Sequence, residues 1–254
     1  MKIVTLLTDF GDFYPGVMKG VILSLAPEAV IVDIYHNVEP QNVLQGAFLL
    51  YNSYRFFRNG VHVAVVDPGV GTERRAIAVK TKNHVFISPD NGISYPAASE
   101  DGIEGIYEVD VSISELVGEL SSTFHGRDVF APAAAMAVRG ELSKYCKKIE
   151  DLKKFDLFDY EIKDDKIFCK VVFIDRFGNL VTNLRAEDVK DARGFYVKGR
   201  EFPLVKAYAE VKLGETLSII GSFRTLELSV RNGSAAEILN IKRGDIEIEL
   251  EVIR

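Results

Sequence analysis

The sequence predicts an α/β fold, in which an N-terminal, mostly parallel sheet flanked by helices is followed by a smaller antiparallel β domain. In the first half, apolar runs of strand length alternate with segments of helical period, which is typical of a parallel sheet covered by helices. The run 61–66 has the apolar composition of a strand buried on both faces. After residue 166 the strand-like runs become short and alternating. We therefore place the boundary near residue 160 and predict domains 1–160 and 161–254.

Apolar spacing and turn residues define the elements of the first domain. The predicted strands are 2–7, 29–34, 61–66, 76–81, 84–87 and 103–109, and the predicted helices are 16–25, 42–57 and 128–138. In helix 42–57, Val43, Ala47, Leu50 and Tyr54 recur at helical spacing. The segment 147–154 is charged and poor in β-branched residues, so we expect a connector there.

The second domain is predicted to contain short strands separated by turn residues. They are 168–174, 195–197, 216–220, 226–230 and 245–253. Their length and spacing indicate a small antiparallel barrel or sandwich.

Composition excludes several classes of protein. The 254 residues are 47% hydrophobic and 27% charged, an ordinary globular balance. The net charge of −6 argues against an obligate nucleic-acid binder. No apolar run reaches the roughly 18 residues of a membrane span, and the N-terminus lacks a signal-peptide pattern, so we expect a cytoplasmic protein. The cysteines, Cys146 and Cys169, and the four histidines show no metal-binding spacing, so we expect no metal centre.

Two aspartates, Asp9 and Asp67, follow predicted strands at their carboxyl ends. Ligands bind at this edge of open parallel sheets, where a carboxylate can accept hydrogen bonds from ribose hydroxyls or a proton from water. Each aspartate is equally consistent with a turn former or a helix cap. Arg74 can fold back across a glycine-rich turn to keep Asp67 ionised, although a solvated pair with Arg75 is the commoner arrangement.

Other candidate residues lie in loops. His125 precedes the predicted helix 128–138, where the helix dipole disfavours a positive charge, and a neutral imidazole can orient water or relay a proton. The amide of Asn179 can pair with a purine edge. The alternatives are that His125 is an ordinary capping residue and that Asn179 lies in a simple hairpin turn. Small-residue loops at 221–223 and 232–236 are either simple turns or places where a ligand approaches the backbone. Dinucleotide and P-loop fingerprints are absent from the sequence.

Six motifs occur in order along the chain. They are Thr8-Asp9-Phe10-Gly11, Val66-Asp67-Pro68-Gly69-Val70-Gly71-Thr72 with Arg74-Arg75, Pro89-Asp90-Asn91-Gly92, Phe124-His125-Gly126-Arg127-Asp128, Asp175-Arg176-Phe177-Gly178-Asn179 and Asn232-Gly233-Ser234-Ala235-Ala236. Together they resemble the S-adenosyl-L-methionine (SAM) hydroxide adenosyltransferases, which are SAM hydrolases related to fluorinase and chlorinase. The resemblance covers nearly the whole chain.

This resemblance implies an N-terminal α/β domain and a C-terminal β-barrel, assembled as a homotrimer with SAM between the N-terminal domain of one subunit and the C-terminal domain of the next. The implied reaction is SAM plus water giving adenosine and L-methionine, with no cofactor. It implies a catalytic triad of Asp67, Arg74 and His125, with Arg75 as the competing arginine. Halogenating relatives carry tyrosine in place of Asp67, so the aspartate indicates water as the nucleophile.

The resemblance also implies substrate contacts. Asp9 would bind the ribose, Asn179 the adenine and Asp175 the methionine amine, and the further substrate-binding residues would be Asp67, Ser222, Glu227 and Gly233. Two other functions stay open at this point. One is a halide-using adenosyl transferase of the same fold, and the other is a non-catalytic module that binds SAM or adenosine.

Overall fold

A computed structural model describes residues 2–118, 120–244 and 247–254. The chain separates into two compact units, Met1–Phe155 and Asp156–Arg254. The domain boundary near residue 160 stays a prediction.

Among its described residues, the first unit combines one sheet with four α-helices. Its strands are β1 (Lys2–Thr8), β2 (Ala29–Tyr35), β3 (Val61–Val65), β4 (Ala76–Thr81), β5 (Val85–Pro89), β6 (Ile103–Val109) and β7 (Cys146–Ile149). Its α-helices are α1 (Phe13–Leu25), α2 (Val43–Ser53), α3 (Tyr95–Asp101) and α4 (Ala131–Arg139). Shorter turns are 3₁₀-helical at Tyr54–Phe56, Val111–Leu116 and Leu142–Tyr145, and π-helical at Gly126–Phe130.

The sheet of this unit is mixed, with strand order β2-β1-β3-β5-β4-β6-β7. The pairs β1–β2, β1–β3 and β3–β5 are parallel, whereas β4–β5, β4–β6 and β6–β7 are antiparallel. Five of the seven strands described therefore run in one direction, and β4 and β7 run in the other. The prediction of a mostly parallel, helix-flanked sheet is confirmed, with the antiparallel pairs collected on one side.

Strand β3 is buried along its whole length because elements cover both of its faces. Val63 and Val65 belong to a core cluster that includes Ile22 of α1 and Ala134 of α4. On the other face the ring of His62 lies 6.2 Å from that of Tyr54, just after α2. This explains the apolar composition that predicted the strand.

Several predictions in this unit need correction. The predicted helix 42–57 ends at Ser53, the predicted helix 128–138 begins at Ala131 after the π-helical turn, and helix α3 was not predicted. The charged segment 147–154 was expected to be a connector, but Cys146–Ile149 forms β7 at the edge of the sheet. Its exposed Lys147 and Lys148 suit an edge strand, where lysines discourage further pairing. Helix α1 begins three residues earlier than predicted, because Pro15 lies in its first turn, where a missing N–H costs no hydrogen bond.

The second unit is an antiparallel sheet that almost closes on itself. Its strands are β8 (Glu161–Lys163), β9 (Lys166–Ile174), β10 (Leu180–Arg185), β11 (Gly194–Val197), β12 (Arg200–Pro203), β13 (Thr216–Ile220), β14 (Thr225–Val230) and β15 (Glu247–Ile253), with 3₁₀ turns at Ala186–Asp188 and Tyr208–Glu210 and a short helix α5 (Ala235–Ile238). The strand order is β12-β11-β15-β9-β10-β14-β13, and β8 pairs with β9.

A bridge between Leu204 and Ser218 brings the two ends of this sheet together, which makes it barrel-like. Its core includes Leu180, Phe195, Phe202 and Leu226. The expectation of a C-terminal antiparallel barrel is confirmed. The short strands β8 and β12 were not predicted, and β10 was given no predicted bounds. The first two residues of the predicted strand 245–253 lie outside the described residues.

Candidate active site

Asp9 and Asp67 leave the sheet at the same edge, because β1 pairs with β3 in a register that sets Thr8 opposite Val65. The backbone N–H of Gln41 donates to Oδ2 of Asp9 at 2.8 Å. Burial raises the pKa of Asp9, the Gln41 N–H opposes this, and the charge of Asp67 adds to the rise. The two aspartates predicted at the strand ends are thus electrostatic neighbours.

Asp67 is held by Arg74 in a nearly buried ion pair. The Nε atom of Arg74 lies 3.0 and 2.9 Å from the two carboxylate oxygens of Asp67, and Nη2 donates to Oδ2. Only 5% of the Asp67 side chain and 12% of the Arg74 side chain are exposed. A guanidinium fork that donates twice to one carboxylate fixes its orientation.

The loop between these two residues returns the chain through a tight turn. Thr72 donates to the carbonyl oxygen of Gly69 from both its N–H, at 3.1 Å, and its hydroxyl, at 2.7 Å. Gly71 has φ +76°, and a Cβ there would lie 2.4 Å from the carbonyl oxygen of Ser122. Glycine at 71 therefore lets the Asp67 loop lie directly against the segment that leads to His125.

His125 completes a chain of contacts, since Nη2 of Arg74 lies 2.9 Å from Nδ1 of the imidazole. Arginine is always a donor, so Nδ1 accepts and the ring proton lies on Nε2. Burial, and after it the charge of Arg74, holds the pKa of His125 below 6.5. The sequence predicted a neutral imidazole from a helix dipole, but these two causes account for it instead.

The segment before His125 is anchored by a buried carboxylate. Asp128, in the π-helical turn Gly126–Phe130, is fully buried and accepts from the N–H of Ser121 at 2.7 Å. Arg127 donates to the same carboxylate through Nε at 2.5 Å. The position of the imidazole thus depends on contacts on both sides of it.

The side chain of Arg75 contacts a different pair of aspartates, Asp90 and Asp151. Its Nε donates to Oδ2 of Asp90 at 2.9 Å and its Nη1 to Asp151 at 3.0 Å. Both acceptors raise the pKa of Arg75 above its ordinary value. Of the two candidate arginines, the structure brings Arg74 to Asp67 and His125.

The second unit contains a cavity of about 840 Å³. Five residues that the sequence proposed for substrate binding line it together: Asp175, Asn179, Ser222, Glu227 and Gly233. They come from three separate loops and from strand β14, so the fold of this unit collects them.

Asp175 and Asn179 form one wall of this cavity. One oxygen of Asp175 accepts from the N–H groups of Phe177, at 2.8 Å, and Asn179, at 2.9 Å, and the other accepts from Nδ2 of Asn179 at 2.8 Å. The Asn179 side chain, whose residue is only 6% exposed, is therefore fixed in direction. Gly178 has φ +80° and packs against Ser234 of the facing loop.

Two family models match the chain: the SAM hydroxide adenosyltransferase N-terminal domain over residues 4–146 and the C-terminal domain of the same family over residues 169–247. The chain belongs to this family. A (R)-S-adenosyl-L-methionine hydrolase from Methanocaldococcus jannaschii is 35% identical over 100% of this chain and 96% of its own length. A protein of the same name from Thermus thermophilus is 35% identical over 96% of this chain and 98% of its own.

Fluorinases are more distant relatives, and that of Nocardia brasiliensis is 28% identical over 98% of this chain and 97% of its own length. Among solved structures, an uncharacterized conserved protein from Thermotoga maritima superposes with a TM-score of 0.86 and 35% identity, covering 99% of this chain and 100% of that one. The family suggested by the six sequence motifs is thereby confirmed.

Sequence reasoning missed two residues of the cavity region in this family member. The hydroxyl of Tyr208 donates to Oε1 of Glu227, and the hydroxyl of Ser229 donates to the same oxygen at 2.9 Å. Neither residue belongs to one of the six motifs. Alternation along β14 was the available signal, because it puts Glu227 and Ser229 on the same face of the strand.

Within residues 2–118, 120–244 and 247–254, no group of three or more His, Cys, Asp or Glu side chains is placed to hold a metal ion. Among the helices in the described part of the chain, none has the length and apolar character needed to cross a membrane.

Proposed function

We propose that this protein hydrolyses SAM with water as the nucleophile at C5′, giving adenosine and L-methionine. The observation that carries the proposal is the hydrogen-bonded chain of Asp67, Arg74 and His125 in a member of this family. Two relatives that match nearly the whole length of this chain are named (R)-SAM hydrolases. We therefore propose the epimer with R configuration at sulfur as the substrate.

In the proposed mechanism Asp67 accepts a proton from the attacking water. The water oxygen forms a bond to C5′ as the C5′–S bond breaks, and the electron pair stays on sulfur. Because the sulfonium leaves as neutral methionine thioether, no acid is needed at sulfur. Arg74 keeps Asp67 oriented, and neutral His125 orients the water through Nε2. General-base assistance of this kind contributes about 10²- to 10⁴-fold, and in-line placement of the water adds to it.

The remaining predicted residues are proposed to bind the substrate. Asp9 would accept hydrogen bonds from the ribose hydroxyls. Asn179, held by Asp175, would pair with the adenine edge, and the carboxylate of Asp175 would face the methionine amine. Ser222, Glu227 and Gly233 line the same cavity and would contact the rest of the molecule.

A homotrimer, with substrate bound between the N-terminal domain of one subunit and the C-terminal domain of the next, is also proposed. Its support is the family resemblance and the exposure of two aromatic residues, Phe13 and Phe177, each 74% exposed. Light scattering during gel filtration tests it, since a mass other than that of three chains contradicts it. The cytoplasmic location stays a prediction from the sequence.

The decisive experiment incubates the purified protein with each sulfur epimer of SAM in halide-free buffer made with ¹⁸O-water. We expect adenosine with ¹⁸O at the 5′ oxygen, together with methionine, and faster conversion of the R epimer. Chromatography with mass detection measures both products.

The other outcomes separate the alternatives. A 5′-halo-adenosine formed only after chloride or fluoride is added identifies a halide-using transferase. Tight binding of SAM with no product identifies a binding module. Adenosine without ¹⁸O excludes water as the nucleophile.

A further inference from the structure

We infer that Asn91 is a positioning residue for Asp67. Its side chain holds the main chain at the end of strand β3, so that the carboxylate of Asp67 keeps the place from which it accepts a proton. Asn91 acts through Asp67 and not by touching the substrate. The inference rests on the proposed function, because it takes Asp67 as the base.

The main chain of β3 loses its partners in the sheet just before Asp67. In the pairing with β1 the last residue in register is Val65, and in the pairing with β5 it is Val63. Val66, which joins the strand to Asp67, lies beyond both and is fully buried. A buried backbone carbonyl needs a hydrogen-bond partner, and past the end of the ladder a side chain can supply it.

The side chain of Asn91 supplies this partner. Its Nδ2 donates to the carbonyl oxygen of Val66 at 2.7 Å, and its Oδ1 accepts from the backbone N–H of Ile93 at 3.1 Å. The nitrogen of an amide only donates and the oxygen only accepts, so these two contacts fix the direction of the side chain. Asn91 follows the end of β5, which lies next to β3 in the sheet.

Asp90, the residue before it, holds the other end of the same loop. The backbone N–H of Asp90 donates to the carbonyl oxygen of Arg75 at 2.9 Å. Arg75 directly follows Arg74, just as Val66 directly precedes Asp67. Two adjacent residues of one turn therefore fix the entry and the exit of the loop 67–74, whose first and last residues form the ion pair of the site.

The turn and the end of β3 are themselves held by packing and by a further hydrogen bond. A Cβ at Gly46 of α2 would lie 3.1 Å from Cγ2 of Val66 and 2.8 Å from Cδ1 of Ile93, so the helix packs closely on both residues. Oδ1 of Asp90 accepts from the backbone N–H of Lys153 at 2.7 Å. Asn91 therefore links Val66 to a turn that other elements keep in place.

The contacts of Arg74 and Asn91 are complementary. Arg74 fixes the carboxylate of Asp67, whereas Asn91 fixes the main chain from which that side chain starts. Reacting groups must be held within about 0.5 Å of the productive geometry. A displacement of about 1 Å can cost about 10²-fold in rate. The loss of one of two supports should therefore lower the rate of the chemical step and leave substrate binding nearly unchanged.

The test begins with two variants of the full-length protein. Asn91→Ala should lower kcat for SAM by about 10-fold and leave KM within about 2-fold. Asn91→Asp keeps an acceptor for the N–H of Ile93 but turns a carboxylate oxygen towards the carbonyl of Val66, so kcat should fall at least as far. The second variant keeps the inference testable if the first does not fold.

Asn52→Ala is the matched control. Nδ2 of Asn52 also donates to a backbone carbonyl, that of Phe48, at 2.9 Å within α2. This variant loses the same kind of hydrogen bond at a place that does not hold Asp67. Its kcat should stay within about 2-fold of the wild-type value, even if its melting temperature falls as far as that of Asn91→Ala.

A double-mutant cycle with Asp67→Asn separates positioning from a general structural role. If Asn91 acts through Asp67, Asn91→Ala should change the single-turnover rate by less than about 2-fold once Asp67 has been replaced. A purely structural role would lower the rate by the same factor in both backgrounds. Equal factors, or a rise in KM with unchanged kcat, overturn the inference.

Failure of the proposed function is recognised separately. If the wild-type protein forms no adenosine, that function is wrong, and crystal structures of the wild-type protein and of Asn91→Ala replace the kinetics. A shift of the Asp67 carboxylate by about 0.5 Å or more supports the positioning role. An unmoved carboxylate overturns it.

Discussion

Nη2 of Arg74 lies 2.9 Å from Nδ1 of His125 while the same guanidinium holds the carboxylate of Asp67. One arginine therefore contacts both neighbours, and it acts on each in a different way. It orients the carboxylate through its fork, and it disfavours the protonated imidazole. The result is a base and a neutral hydrogen-bond donor fixed side by side, and several measurable consequences depend on it.

Asp67→Asn should lower turnover of SAM by about 10²- to 10⁴-fold while binding of adenosine stays within a few-fold, because the amide cannot accept the proton. Single-turnover product formation and calorimetry measure the two quantities. Asp151→Asn is the matched control, since Asp151 is 80% exposed and its pair with Arg75 contributes little. Unchanged turnover in Asp67→Asn removes this residue from the mechanism.

The two adjacent arginines should respond differently to lysine. Arg74→Lys loses the fork that reaches both Asp67 and His125, so we expect kcat to fall by about 10-fold or more, because lysine cannot reproduce a bidentate contact. Arg75→Lys should leave kcat within about 2-fold, since its contacts are to Asp90 and Asp151. Steady-state kinetics decide, and equal losses in both variants contradict the assignment of Arg74.

His125 should remain neutral at pH values where an ordinary histidine is half protonated. Its pKa lies below 6.5 because of burial and the charge of Arg74, so protonation begins only as the pH falls below that value. An NMR titration of the imidazole, assigned with His125→Asn, measures this. Arg74→Gln should move the midpoint upward, and a wild-type midpoint at or above 6.5 contradicts the prediction.

Gly178→Ala should weaken SAM binding and lower the melting temperature. A Cβ at 178 would lie 2.1 Å from Oγ of Ser234. The two cavity-lining loops that contain these residues would therefore have to move apart. Gly199→Ala is the control, because Gly199 also has positive φ, +76°, but meets nothing within 4 Å. Both variants should lose about 1 kcal/mol from backbone strain, and only Gly178→Ala should lose more and bind less. Equal effects in stability and binding argue against the clash.

Buried histidines should make the protein sensitive to mild acid. His62 contacts Thr5 at 2.8 Å and His84 at 3.1 Å, and burial lowers its pKa from 6.5 to about 3. The unfolded chain binds this proton first, so the stabilisation is complete above pH 6.5 and is lost as the pH falls towards 3. The free energy of unfolding should drop by roughly 1.4 kcal/mol per pH unit in this window.

Urea unfolding at pH 7.5, 6 and 5 measures this slope. His62→Gln should flatten it, even if the variant is less stable overall. Asp110→Asn is the control, because the pKa of Asp110 lies below 3.8, so its titration affects stability only in stronger acid. An unaltered slope in His62→Gln excludes this histidine as the cause.

Much of the fold was predictable because its signals are local. The structure places five strands within one or two residues of their predicted bounds, namely β1, β3, β4, β6 and β13. Their signal, an apolar run or an alternation, is visible in a few consecutive residues. Strands β7, β8 and β12 were missed. They are only three or four residues long and rich in charge, so their pairing with a neighbour, and not their composition, makes them strands.

By itself the sequence determined the family, the candidate residues of the site and the strand ends that carry Asp9 and Asp67. Only the tertiary structure decided that Arg74, and not Arg75, meets His125, which lies 51 residues further along the chain. It also decided that Tyr208 reaches Glu227 and that Asn91 reaches the carbonyl oxygen of Val66. Such contacts depend on the register of the sheet and the path of the loops. Both bring residues that are distant in sequence within hydrogen-bond distance, and no local sequence pattern encodes them.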